Sequence, residues 1–177
     1  MCTFTHRGIA AIRGFTLIEV VVVMAIIAIL ALMTIPMFYA KIPRAQIEES
    51  IPLVKIAVDR VTAYYLTSGA LPANNSAAGL PEANKLIGTY VSAVTVVDGA
   101  VTMSFRADAN PKIAGKRLSW RPAIVKGSAI TPPSWICAHK KVPDGMDVGG
   151  VDVTDVPMDS IPLTYICGLR LASGSGP

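Results

Sequence analysis

"IRGFTLIEVVVVMAI" runs from Ile12 to Ile26, and its single acid, Glu19, decides how the rest of the chain is read. From Val20 to Ala40 no charged residue interrupts an apolar run. A helix needs about 20 apolar residues to cross a hydrocarbon core, so this segment is long enough to span a membrane. A carboxylate near mid-span costs roughly 2.5–3.5 kcal/mol on insertion scales, so an acid at the head of the span needs a reason. One reason is local. Thr16-Leu17-Ile18-Glu19 has the capping-box spacing, a hydroxyl residue followed three positions later by Glu, and on that reading Glu19 only satisfies amides at a helix start.

The 177-residue length suggests one domain plus an appendage. The chain is 52% hydrophobic and 16% charged, with the apolar excess concentrated between Phe15 and Ala40, so the remainder can fold in water. Arg7 and Arg13 precede the run, and short basic flanks hold an N-terminus in the cytoplasm and send the rest of the chain outward. Loss of residues 1–14 would lower the formal charge from +4 to +2. The other cations, among them Lys116, Arg117, Arg121, Lys126, Lys140 and Lys141, are scattered and read as a solvated face rather than a dedicated nucleic-acid surface.

Three cysteines, Cys2, Cys137 and Cys167, are an awkward number for an oxidising compartment. Loss of the leader removes Cys2 and leaves one pair, which fits export with Cys137 bonded to Cys167. The alternative is two unrelated buried thiols. A secretory signal does not fit, because the apolar stretch exceeds the usual 7–15 residues and ends in Phe38-Tyr39-Ala40-Lys41 without a small-x-small site. No cysteine stands directly after the run, so a lipoprotein signal fails too. A plain signal anchor would leave Glu19 unexplained.

Gly14-Phe15-Thr16-Leu17-Ile18-Glu19 behind a short basic leader, with Pro36 well inside the apolar helix, closely resembles the N-terminus of type IV prepilins. The resemblance implies that an inner-membrane aspartic prepilin peptidase cuts between Gly14 and Phe15 and that Phe15 is then N-methylated. Glycine suits such a cleft because its backbone extends without a side chain. Cleavage leaves a cationic amine on Phe15 and sets Glu19 near a helix N-terminus, where the macrodipole favours negative charge. In a filament core Glu19 can neutralise the Phe15 amine of a neighbouring subunit, and a buried pair of this kind contributes registry more surely than stability.

Beyond Arg44 the pattern becomes one-sided. Ile47, Ile51, Val54, Val58, Val61 and Tyr65 recur at spacings of four and three, while Arg44, Glu48, Glu49, Lys55, Asp59 and Arg60 take the other faces. Phe15 to about Ser68 therefore reads as one helix, roughly 80 Å long at 1.5 Å per residue. Residues 15–40 form its membrane or filament-core part and 41–68 its amphipathic part. Pro36, Pro43 and Pro52 each remove an amide donor and are expected to bend the helix rather than end it, Pro36 matching the family's proline. Ser68-Gly69 ends it, and a polar loop follows to about Lys85.

Tyr90–Val97 is β-prone, Asp98-Gly99 suits a type I′ turn, and Ala100–Arg106 returns as the second strand. Lys116–Val125 and Ser134–Ala138 are weaker strands, with Pro122 predicting an edge or a bulge in the third. The fold expected is α+β, a long N-terminal helix on a small, roughly four-stranded antiparallel sheet, with residues 69–177 as the head. This part also resembles type IVa pilins, in its "AAGLP" loop, its hairpin and its Trp135-Ile136-Cys137 strand end. Cys137 to Cys167 then corresponds to the family's disulfide-bounded loop. Asp144, Asp147, Asp152, Asp155 and Asp159 lie in this loop; they could supply oxygen ligands for calcium, but their spacing fits no EF-hand, and a solvated acidic loop is the reading.

No nucleophile motif, phosphate loop or metal-ligand set stands out, so no enzyme activity, catalytic residue, cofactor or metal is expected. His139 sits beside Lys140 and Lys141 and reads as exposed. Ser173 and Ser175 offer acceptors for glycosylation in a polar tail. The resemblance implies a structural subunit that polymerises into a helical homo-oligomeric filament. Its partners would be the inner membrane, the prepilin peptidase, the pilus assembly machinery, and a host surface or DNA as ligand. Adhesion, twitching motility and DNA uptake are the implied roles, with an inner-membrane precursor and an extracellular pilus as the locations. A minor pilin or a type II secretion pseudopilin shares the N-terminus, and a signal-anchored periplasmic protein is the remaining alternative.

Overall fold

The computed structural model describes residues 14–128 and 131–162, without the side chains of residues 35–38 and 40. Helix α1 spans Leu17–Ser68, and the boundary between two compact units falls within it, between Phe38 and Tyr39. Pro36, Pro43 and Pro52 all lie inside the helix, which continues past each of them.

In the first unit, no residue from Leu17 to Thr34 is buried. The segment has the length and composition to cross a membrane, and among the described residues its apolar side chains stay unburied.

The second unit is an α+β head built on the other part of α1. Its five strands are β1 (Val91–Val97), β2 (Ala100–Phe105), β3 (Arg117–Val125), β4 (Ser134–Cys137) and β5 (Met146–Val148). β1 to β4 lie in sequence order, every pairing is antiparallel, and β5 also pairs with β3. The predicted stripe is the buried face of α1: Ile47, Val54, Val58 and Val61 are inaccessible to solvent, and Ile51 is half-buried. Val94, Met103, Leu118 and Trp120 join the same core from the strands. Polar contacts also fix helix to head, among them Trp135 Nε1 donating to Thr62 Oγ1 at 3.3 Å, the Tyr65 hydroxyl to the Ser128 carbonyl at 3.0 Å and the Asn110 amide to Gln46 Oε1 at 2.8 Å.

The helix ends where expected. Gly69 takes φ +72°, and its amide donates to the Tyr65 carbonyl at 2.8 Å, a left-handed cap that favours glycine. Asp98 and Gly99 both have positive φ, as a type I′ hairpin turn requires. A register shift between Val91 and Ala93 explains why burial along β1 does not alternate at its start.

Three expectations need correction. Pro122 is on the central strand, not on an edge strand, and is paired with Trp135 of β4. Its other side faces the gap where β2 pairing stops at Trp120 and β5 pairing starts at Ala123, and there its carbonyl accepts the Gly149 amide at 2.9 Å. A strand residue directs its nitrogen and its carbonyl to the same side, so the missing donor falls in that gap. Second, the Asp-rich loop contains β5, a strand too short and too polar to stand out in the sequence. Third, the acidic loop is solvated at Asp144, Asp147, Asp155 and Asp159, as expected, but Asp152 is drawn in against the sheet.

Candidate functional site

Gly14, Phe15 and Thr16 precede the first helical turn and are exposed, Phe15 to 78%. A Cβ built on Gly14 would meet no atom within 4 Å. The subunit's own fold therefore makes no demand for glycine here. Glu19 is exposed in the first turn of α1, where its amide donates to the Thr16 carbonyl at 3.1 Å. Among the described residues no side-chain bond joins Thr16 to Glu19, so the capping-box account of this acid gains no support. Among the described residues the helix end thus presents an exposed glycine–phenylalanine bond, a carboxylate without a side-chain partner and an apolar surface without cover.

A second set of polar groups lies on the outer face of the sheet. The segment after β5 crosses the β1–β2 turn at Gly149-Gly150 and then runs along β3 as a strap. A Cβ on Gly149 would collide with Leu71, and one on Gly150 with Ala100 and, at 2.9 Å, the Val97 carbonyl. Asp152 anchors the strap: the Ser119 hydroxyl donates to it at 2.7 Å and the Thr154 amide at 3.0 Å. Its other oxygen lies 3.0 Å from His139 Nδ1 and 3.8 Å from Arg121. Burial works against the Asp152 charge, but the Thr154 amide, the Ser119 and Thr154 hydroxyls and the Arg121 guanidinium outweigh it and hold the carboxyl below the usual range.

Farther along, Asp155 accepts the Arg117 amide and pairs with its side chain. Asp159 binds Lys112 through its carboxylate, while both Nε and a terminal nitrogen of Arg44 donate to its carbonyl. Asp147 pairs with Lys126 at 3.5 Å. Among the described residues no three His, Cys, Asp or Glu side chains converge as metal ligands. His139 is exposed, as expected, yet paired. Cys137 is wholly buried and disulfide-bonded, whereas Cys167 and the tail serines lie outside the described residues.

Comparison with known families gives two adjoining matches. Residues 9–35 match the prokaryotic N-terminal methylation motif, and residues 43–163 match the pilin family of bacterial filaments. The chain belongs to the type IV pilin family. A fimbrial protein of Neisseria meningitidis serogroup B is 36% identical over 143 residues, covering 80% of this chain and 82% of the relative. A type IV major pilin, PilE1, of Neisseria gonorrhoeae is 36% identical over 160 residues, covering 88% and 73%. Fimbrial protein EcpC of Eikenella corrodens is 34% identical over 131 residues, covering 71% and 82%.

The pilin family is structural, and a pilin is a subunit of a bacterial filament. The long apolar helix, the antiparallel sheet and the methylation motif are all readable from the sequence. The strap anchor Ser119–Asp152 and the Gly149-Gly150 crossing are not. Of these, only the paired glycines leave a sequence signal.

Proposed function

We propose that this pilin is a polymerising, major subunit of a type IV pilus, made as an inner-membrane precursor. Residues 1–14 form a cytoplasmic leader that the prepilin peptidase removes at Gly14–Phe15, and Phe15 becomes the N-methylated first residue. Residues 15–40 hold the precursor in the bilayer and then pass into the filament core, where Glu19 neutralises a neighbour's Phe15 amine. Pro36 bends this part of the helix. Cys137 pairs with Cys167 to close the C-terminal loop after export. Assembly proteins draw the subunit from the membrane, and the extracellular filament serves adhesion and twitching motility, with a host surface or DNA as its ligand.

One observation carries this reading. An 18-residue helical span, apolar but for Glu19 and Thr34 and with no residue buried, begins three positions after a glycine that the described fold does not need. Such a surface requires a bilayer first and other subunits afterwards. Mass spectrometry of filaments sheared from the cell surface supplies the test. The expected result is that this chain dominates the fraction, begins at N-methyl-Phe15 and carries a Cys137–Cys167 bond. Its confinement to the cell envelope, with filaments made of another protein, would refute the major-subunit reading.

A further inference from the structure

Between Glu19 and Glu48 the only charged residues of the chain are Lys41 and Arg44. Both are exposed on α1, and residues three positions apart lie on one side of a helix. The helix itself sets their distance from the apolar span. At about 1.5 Å per residue, Lys41 follows Thr34 by about 10 Å and Arg44 by about 15 Å. A bilayer of about 30 Å hydrocarbon measures about 40–45 Å with its headgroups. On the reading of residues 15–40 as the precursor's span, these two cations leave the membrane at the level of the lipid phosphates.

The head brings a third cation to the same turn of α1. Arg44 donates from Nε and a terminal nitrogen to the Asp159 carbonyl at 2.9 and 2.7 Å, and Lys112 Nζ pairs with the Asp159 carboxylate at 3.1 Å. The loop that carries Lys112 is tied to this turn by the Asn110 amide, which donates to Gln46 Oε1 at 2.8 Å. A carbonyl is neutral, so these bonds fix the Arg44 guanidinium without cancelling its charge. The Asp159 carboxylate offsets one of the three positive charges, and Arg106 and Asp108 of the same loop pair with each other. The first acids of this part of the helix, Glu48 and Glu49, stand a turn beyond Arg44, about 6 Å farther from the span. Lys41, Arg44 and Lys112 therefore form a collar in which the charges nearest the span are positive.

We infer that this collar binds the anionic headgroups of phospholipids in the outer leaflet of the membrane that holds the precursor. Lys41 and Lys112 reach lipid phosphates as point charges on flexible stems, and Arg44 offers a planar guanidinium already held in place. Each cation close to an anionic lipid surface strengthens binding by up to about fivefold, and salt screens the effect. The contact keeps the precursor on its membrane until assembly and is given up when the subunit leaves for the filament. The inference rests on the membrane-precursor reading above, and its test separates the two.

The experiment reconstitutes the full chain in phosphatidylcholine bilayers. Electron spin resonance then compares spin-labelled phosphatidylglycerol with spin-labelled phosphatidylcholine for places against the protein. The variant carries Lys41→Gln and Lys112→Gln; Arg7 and Arg13, which also attract anionic lipid, are the same in both chains. Expected is a preference for phosphatidylglycerol that falls at least about threefold in the variant, with high salt removing the difference between the chains. An equal preference in the two chains at low salt would overturn the collar. Failure of the unsubstituted chain to insert in the bilayer would instead refute the membrane-precursor reading. Should the double variant unfold in detergent, Lys41→Gln alone replaces it, with a fall of about twofold expected and an unchanged preference as the overturning result.

Discussion

Asn75→Ala removes a side chain that does the work of a missing strand. Asn75 is 8% exposed, its Oδ1 accepts the Val96 amide at 2.6 Å, and its Nδ2 donates to the carbonyls of Val94 and Pro81 at 2.9 and 3.0 Å. Alanine leaves the Val94 carbonyl and the Val96 amide without the partner that each has in the native fold. Each buried group left unsatisfied costs about 1–3 kcal/mol, so the pair should cost about 2–5 kcal/mol. For a chain of this size about 1 kcal/mol shifts Tm by roughly 2–4 °C, which predicts a fall on the order of 5–15 °C. Thermal unfolding of the detergent-solubilised chain by near-ultraviolet circular dichroism gives Tm, and hydrogen exchange at Val96 reports the local opening. A fall below about 2 °C with Val96 still protected would show that water or backbone replaces the side chain, and the reasoning would fail.

The remaining predictions concern the strap and the apolar helix. Gly150→Ala forces a Cβ into Ala100 at φ +67° and should destabilise the head by about 2–5 kcal/mol, combining left-handed strain with overpacking, as denaturant midpoints would show. Asp152 has a lowered carboxyl pKa in the folded state, so its contribution is present above the unfolded value of about 3.9 and is lost as pH falls through the folded one. Asp152→Asn should therefore be less stable at pH 7 and show a shallower loss of stability below about pH 4; an unchanged acid limb in the titration would count against the anchor. Glu19→Val should insert and be cut after Gly14 yet assemble poorly, and a normal yield of sheared filaments would refute the registry role.

The first unit was legible because its signal is one-dimensional. Charge placement, apolar length and a six-residue pattern around Gly14 and Glu19 need no tertiary information. The stripe from Ile47 to Tyr65 and the Asp98-Gly99 turn are likewise set by short-range periodicity and by backbone sterics. What escaped depends on partners distant in the chain. Asn75 reads as one more polar loop residue until Val96, 21 positions away, is seen to need an acceptor. Ser119 reads as a strand hydroxyl until the strap brings Asp152 across it, 33 positions on. Pro122 misled for the same reason, since no local rule announces that two different strands share one side of β3 and leave a gap between them.

A head designed to be stacked in large numbers has a particular hazard in β1, which is the edge of the sheet and could pair with the edge of another copy. This edge is covered almost throughout its length. The Gly88 amide donates to the Val91 carbonyl, Asn75 takes Val94 and Val96, Asn74 bridges Val97, and the Asp98 amide donates to Ala73. Backbone pairing between heads through β1 is thus closed off, and contact at this edge must be made through side chains, which specify one register where a bare strand edge tolerates several. Asn75 consequently has two effects that can be measured separately. Its loss should lower the stability of the single subunit, and it should also let the purified chain associate through β1 into irregular aggregates, which light scattering would detect.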